Sequence, residues 1–96
     1  MKELQQQFKG RGEVKGYTFT QVSKTDLGYI YQKELDGKIS YEVFKHKENK
    51  RFDCVSYPTS NSFGVWAWDC KTLEKAMERL NNFIPKKSHS IISTEY

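Results

Sequence analysis

Glu42, His46 and Arg51 are the residues whose types and spacing come nearest to a catalytic set. A carboxylate base, an imidazole acid and a guanidinium clamp on phosphate are what RNA cleavage requires. Strand alternation puts Glu42 and His46 on one face, so the geometry is permitted. The competing reading is a pair of solvated side chains beside a charged hairpin tip, which leaves a small ribonuclease as the second alternative. The chain has two histidines and two cysteines in all. Cys54 and Cys70 form no CxxC pair and have no histidine beside them, so they give neither a zinc site nor a redox motif. Both are expected to be reduced and packed. The aspartates show no calcium-loop spacing. No catalytic residue, metal or cofactor is expected.

Binding has more to work with than catalysis. Tyr17, Phe19, Tyr29 and Tyr31 alternate along the first two strands read from the sequence, and Arg11, Lys15, Lys45, Lys47 and Arg51 flank them. Rings that stack on bases, surrounded by cations that meet phosphates, form the surface of a sheet-based nucleic-acid binder. The segment KGYTFTQV, Lys15 to Val22, resembles the KGYGFxxF-type motif of RNA-recognition and cold-shock domains. Thr18 stands where those families have a small residue, and Val22 replaces an aromatic. The resemblance implies a mode of binding through strand aromatics. The same face, or an open sheet edge, would equally serve a protein-binding inhibitor, because Tyr and Trp dominate such contacts. Nucleic acid and a host protein are thus both partner expectations, and an edge strand leaves a homodimer open. A further basic row, Lys71, Lys75 and Arg79, is interleaved with Glu74 and Glu78, the usual mixed-charge outer face of a helix.

These residues must be positioned by short strands. From Val14 onward the apolar residues alternate in bursts bounded by turn signals. The first strand carries Tyr17 and Phe19 to about Val22, with a turn at Ser23–Asp26. The second carries Leu27, Tyr29 and Tyr31, with Ile30 opposite. Asp36-Gly37 is the strongest hairpin signal in the chain. It leads into a third strand over 38–47, a tip at His46–Arg51, a fourth strand through Phe52–Tyr57, and a short fifth at Phe63–Trp68. Leu73, Ala76, Met77, Leu80, Phe83 and Ile84 then follow helical spacing, with Asp69 as the N-cap and Pro85 as the stop. The fold class is α+β, a four- to five-stranded antiparallel β-meander packed on one C-terminal α-helix. Residues 1–11 read as an N-terminal arm, 12–85 as a single domain and 86–96 as a tail. Within that tail SIIST could pair as an edge strand. The helix covers one sheet face, and the other is expected to stay partly wet and to carry function.

Both tryptophans fall in one strand, at Trp66 and Trp68. Burying each is worth on the order of 4 to 6 kcal/mol as an upper bound, so at least one is expected beneath Leu73, Met77 and Leu80. They read as the seam between sheet and helix, and not as a stacking platform.

Ninety-six residues build one core, and with 15% aromatic side chains that core must be made largely of rings. A formal net charge of +4 suits polyanions or acidic protein surfaces. The start MKELQQQFKG lacks the apolar core of a signal peptide, and no apolar run is long enough to cross a membrane. The expected location is cytoplasmic, in the host cell if the chain is phage-encoded. GEVKGYTF, YEVFKHK, YPTSNSFGVWAW and LEKAMERLNNF together resemble a group of uncharacterised small proteins of phages and mobile elements of gut bacteria. That group has no established activity, so the resemblance implies context and little mechanism; phage proteins of this size are often binders that redirect or inhibit host machinery, including defence systems.

Overall fold

A computed structural model describes residues 2–83. Seven strands are present there: β1 (Gln7–Lys9), β2 (Thr18–Lys24), β3 (Gly28–Leu35), β4 (Lys38–Lys45), β5 (Glu48–Asn49), β6 (Cys54–Val55) and β7 (Ala67–Cys70). One helix, α1 (Leu73–Asn81), closes the described chain. A five-stranded antiparallel sheet runs β1-β2-β3-β4-β7, and β5-β6 forms a separate two-stranded ribbon. The α+β class with one C-terminal helix is therefore as the sequence predicts.

Asp36 and Gly37 both take positive φ, 50° and 82°, the backbone of the tight primed turn that matches strand twist. That turn pairs Leu35 with Lys38 and fixes the whole β3-β4 register, which sets Tyr31 opposite Glu42 and Lys33 opposite Ser40. A bulge at Val22 shifts the β2-β3 register near the end of the hairpin and leaves Val22 exposed. The side chain of Thr25 accepts from the amides of Leu27 and Gly28 to close the next turn. At Gly28 an added Cβ would meet the Phe44 carbonyl and the Phe83 ring, so close strand and helix approach requires glycine there.

Two layers cover the sheet. Ile30 and Val43 face α1 and pack on Ala76 and Leu80, with Tyr41, Trp68, Cys70 and Phe83 around them. On the other face Phe19, Tyr29, Tyr31, Phe44 and Ala67 pack with Val55, beneath Leu4, Phe8, Val14, Tyr57, Phe63 and Trp66. This second face is not wet, which corrects the sequence expectation. Its cover is irregular chain that has no helical or strand period to betray it.

Several elements differ from their predicted form. The expected fourth strand, Phe52–Tyr57, does not join the main sheet. Only Cys54–Val55 is extended, and it pairs with β5 while Asn49 accepts from the Arg51 and Phe52 amides to turn the ribbon. The fifth place in the sheet is taken by β1, from the segment expected as an arm. Lys2 bridges Cys54, and Leu4 and Phe8 join the aromatic core. The helix is capped by Thr72, whose side chain accepts from the Lys75 amide, and not by Asp69, which lies in β7. Pro85 and the tail with its SIIST segment lie outside the described residues.

The two tryptophans separate. Trp68 packs on the helix side, 5.7 Å from Phe83, with the Arg79 guanidinium 4.7 Å above its ring. Trp66 precedes β7 and belongs to the other layer, edge-on to Phe44 at 6.2 Å. The seam prediction thus holds for Trp68 with Leu80, while Leu73 and Met77 stay 37% exposed.

Candidate functional site

Tyrosine is chosen over phenylalanine in the sheet because loops, unlike helices, bring unpaired polar groups to the core. The Tyr31 hydroxyl donates to the Gln5 carbonyl at 2.5 Å and accepts from Gln21 Nε2 at 3.0 Å. The Tyr29 hydroxyl donates to Glu3 Oε1 at 2.7 Å, and His46 Nδ1 lies 3.1 Å from it. These bonds fasten residues 3–5 over the aromatic face. The hydrogen bond from Tyr29 holds the Glu3 carboxyl below its ordinary value, against the opposing effect of burial. Burial of the tyrosines, reinforced for Tyr29 by Glu3, pushes both phenols up.

The same burial removes the proposed stacking platform. Tyr29 and Tyr31 are 0% exposed and Phe19 is also buried, so none of the three can present a ring face to a base. Tyr17 is half-buried beside Phe19, with Lys33 Nζ 5.7 Å from its ring centroid. The expected basic residues Arg11, Lys15, Lys45, Lys47 and Arg51 are all exposed. They lie at different places: Arg11 lines a cleft beside β1, Lys45 sits 5.8 Å from the Phe83 ring, and Lys47 and Arg51 flank the β5-β6 ribbon.

Nor does the ribonuclease set assemble. Glu42 and His46 point to one side of β4, but four residues of strand separate them by roughly 13 Å. Glu42 is held by Tyr57 and Lys33, His46 by Tyr29 and Glu48, and the Arg51 guanidinium rests 5.5 Å from Phe52.

Two surfaces remain. The first surrounds the ribbon. Phe52 and Val65 are each 69% exposed, the largest values among the exposed apolar side chains. Lys47 Nζ stands 5.1 Å over the Trp66 ring, and Arg51 lies against Phe52. Lys50 and Val65 share a shallow cleft with Lys47 and Trp66. An exposed Phe52 and a half-buried Trp66, each carrying a cation, were missed by the sequence reading because alternation assigned Phe52 to a packed strand.

The second is a cleft of about 1230 Å³ on the aromatic side, between residues 5–14 and the Tyr57–Ser60 segment. Its floor is polar. Lys33 Nζ donates to Asp69 Oδ1 at 3.0 Å and to Glu42 Oε2 at 3.3 Å, and Tyr57 donates to Glu42 Oε1 at 2.6 Å. Burial pushes the Glu42 carboxyl up despite both donors. Burial opposes the charge on Lys33, but the hydrogen bond to Asp69 and the two carboxylate charges outweigh it and lift its pKa. Burial, then the Glu42 charge, pushes the Tyr57 phenol up. The register signal was present in the sequence: Asp36-Gly37 places Lys33 diagonal to Glu42, a pair of opposite charges on an otherwise aromatic face.

Cys54 and Cys70 are free thiols, and burial pushes the Cys70 thiol up. Among the described residues no group of three His, Cys, Asp or Glu side chains is placed to hold a metal ion. No helix among them is long and apolar enough to cross a membrane. No protein-family profile, characterised protein or solved structure matches the chain.

Proposed function

We propose that the protein is a non-enzymatic binding module that grips single-stranded nucleic acid along the β5-β6 ribbon, with the exposed Phe52 ring and the half-buried Trp66 ring as stacking groups and Lys47, Lys50 and Arg51 as phosphate contacts. The observation that carries this reading is the pairing of accessible rings with cations, Arg51 at the exposed Phe52 and Lys47 at the half-buried Trp66. An aromatic face gives sequence-tolerant stacking, and a nearby cation gives charge neutralisation of the backbone. Compared with the sequence expectation, Lys47 and Arg51 stay in the site, Arg11, Lys15 and Lys45 fall outside it, and the aromatic half moves from the sheet to the ribbon.

Fluorescence polarisation with a labelled single strand at several salt concentrations tests it. Binding should weaken log-linearly with salt, and Lys47→Ala with Arg51→Ala should flatten the slope by about two phosphate contacts. Phe52→Ala should cost about 1 to 3 kcal/mol of affinity without changing that slope. Absence of binding at about 10 μM strand in 50 mM salt would sink the reading, since nonspecific binders already reach that range. Phe52 and Val65 would then serve a protein interface, the inhibitor alternative, whose affinity salt barely moves.

A further inference from the structure

The cleft floored by Lys33 and Asp69 is distinct from the ribbon and has no part in the reading above. Its chemistry narrows the ligand in three steps. The floor carries Lys33 against Glu42 and Asp69, one positive and two negative formal charges, so an anionic group seated there would meet uncompensated carboxylates. A second cation would have to approach beside the Lys33 ammonium, which already occupies both carboxylates from 3.0 and 3.3 Å and would repel it. What fits is a neutral group whose edge offers a donor beside an acceptor.

Asp69 is the accessible acceptor, its side chain 57% exposed, whereas both Glu42 oxygens are already engaged by Tyr57 and Lys33. Lys33 supplies the donor. The walls contributed by Phe8, Val14 and Phe63 are half-buried and apolar, suited to the faces of a flat ring. At the mouth Arg11 is exposed and cationic, with the exposed Glu13 in the same lining, while the Lys9 ammonium donates to Thr18 Oγ1 at 2.8 Å. A planar ring with a donor and acceptor edge inside and a phosphate outside is a nucleotide.

We infer that this cleft binds a nucleobase with a lactam edge, guanine foremost, its ring N–H and amino group donating to Asp69, its carbonyl accepting from Lys33, and its phosphate lying toward Arg11. Adenine reverses the donor and acceptor on that edge and would set an amino group against the Lys33 ammonium. The base arrives either as a free nucleotide or as an unpaired residue of a strand. Tyr57 and Thr59 line both this cleft and the ribbon cleft, so one strand has a continuous path between them.

The test is an NMR titration of the full chain with guanosine and adenosine 5′-monophosphates, and in parallel with short single strands carrying one guanine or none. Amide shifts should concentrate in residues 9–14 and 67–70, with guanosine monophosphate at least about tenfold tighter than adenosine monophosphate. Asp69→Asn should erase most of that preference while leaving the melting temperature close to the parent, because Asp69 is largely solvated. If the monophosphate binds, a free nucleotide is a sufficient ligand; if only the guanine strand shifts those amides, the base is delivered on a strand. Phe52→Ala should leave monophosphate binding unchanged, which separates this cleft from the ribbon. Equal binding of the two monophosphates, a preference that survives Asp69→Asn, or no shift in residues 9–14 with any of the four probes would overturn the inference.

Discussion

The two faces of the sheet are built on different principles. The helix face is aliphatic at its centre: Ile30 and Val43 meet Ala76 and Leu80, and the helix satisfies its own backbone. The loop face is aromatic and hydroxylated, because irregular chain brings carbonyls and side chains that need partners. There Tyr31 serves Gln5, Tyr29 serves Glu3 and Tyr57 serves Glu42. No buried side-chain nitrogen or oxygen among the described residues lacks a partner. A ring-rich strand is therefore a poor guide to an open binding surface. Tyrosines in a sheet can be the fastening for a loop, and function then falls to the rim of that loop cover.

The largest loss of stability is expected at the centre of the loop face. Phe44→Ala removes a fully buried ring in contact with Tyr29, Tyr31, Tyr57 and Trp66 and should cost about 3 to 5 kcal/mol in urea denaturation. On the helix face Leu80→Ala should cost about 2 to 4 kcal/mol, with hydrogen exchange rising first across α1. Tyr31→Phe keeps the packing and loses only the hydroxyl. It should cost about 1 to 3 kcal/mol and release amide protection in residues 5–9 while α1 stays protected. An unchanged exchange pattern in that variant would mean that the rings, and not their hydroxyls, hold the cover. Thr72→Ala, which removes the helix cap alone, should cost about 1 kcal/mol.

The smallest effect is a pH dependence that separates two glutamates of the loop face. Glu42 has a raised pKa in the folded chain, so between the ordinary value of 4.5 and its raised value the folded state binds more protons than the unfolded one. Stability attributable to Glu42 therefore falls as pH rises through that window. Glu3 is lowered, so its contribution is present above 4.5 and lost as pH falls through its folded value. Glu42→Gln should remove the first slope and Glu3→Gln the second, read from urea midpoints between pH 3 and 7.

Alternation and turn chemistry made much of this legible. Asp36-Gly37 set the β3-β4 register without ambiguity, since only positive φ at two successive residues closes so short a loop. From that register the Lys33–Glu42 diagonal follows. The period of Leu73, Ala76 and Leu80 foretold the helix, though Thr72 and not Asp69 caps it. What alternation determined at Tyr29 and Tyr31 was that they share an apolar face. Only the tertiary structure decided that the face is closed, by residues 2–5, Tyr57, Phe63 and Trp66 folding back over it and Phe8 of β1 packing alongside. Burial of such segments depends on contacts between residues far apart in the chain, and irregular chain leaves no periodic trace of what it will cover. The same reason sent Trp66 and Trp68 to opposite layers. Their spacing states that both are hydrophobic, while the end of β7 at Ala67 decides where each ring goes.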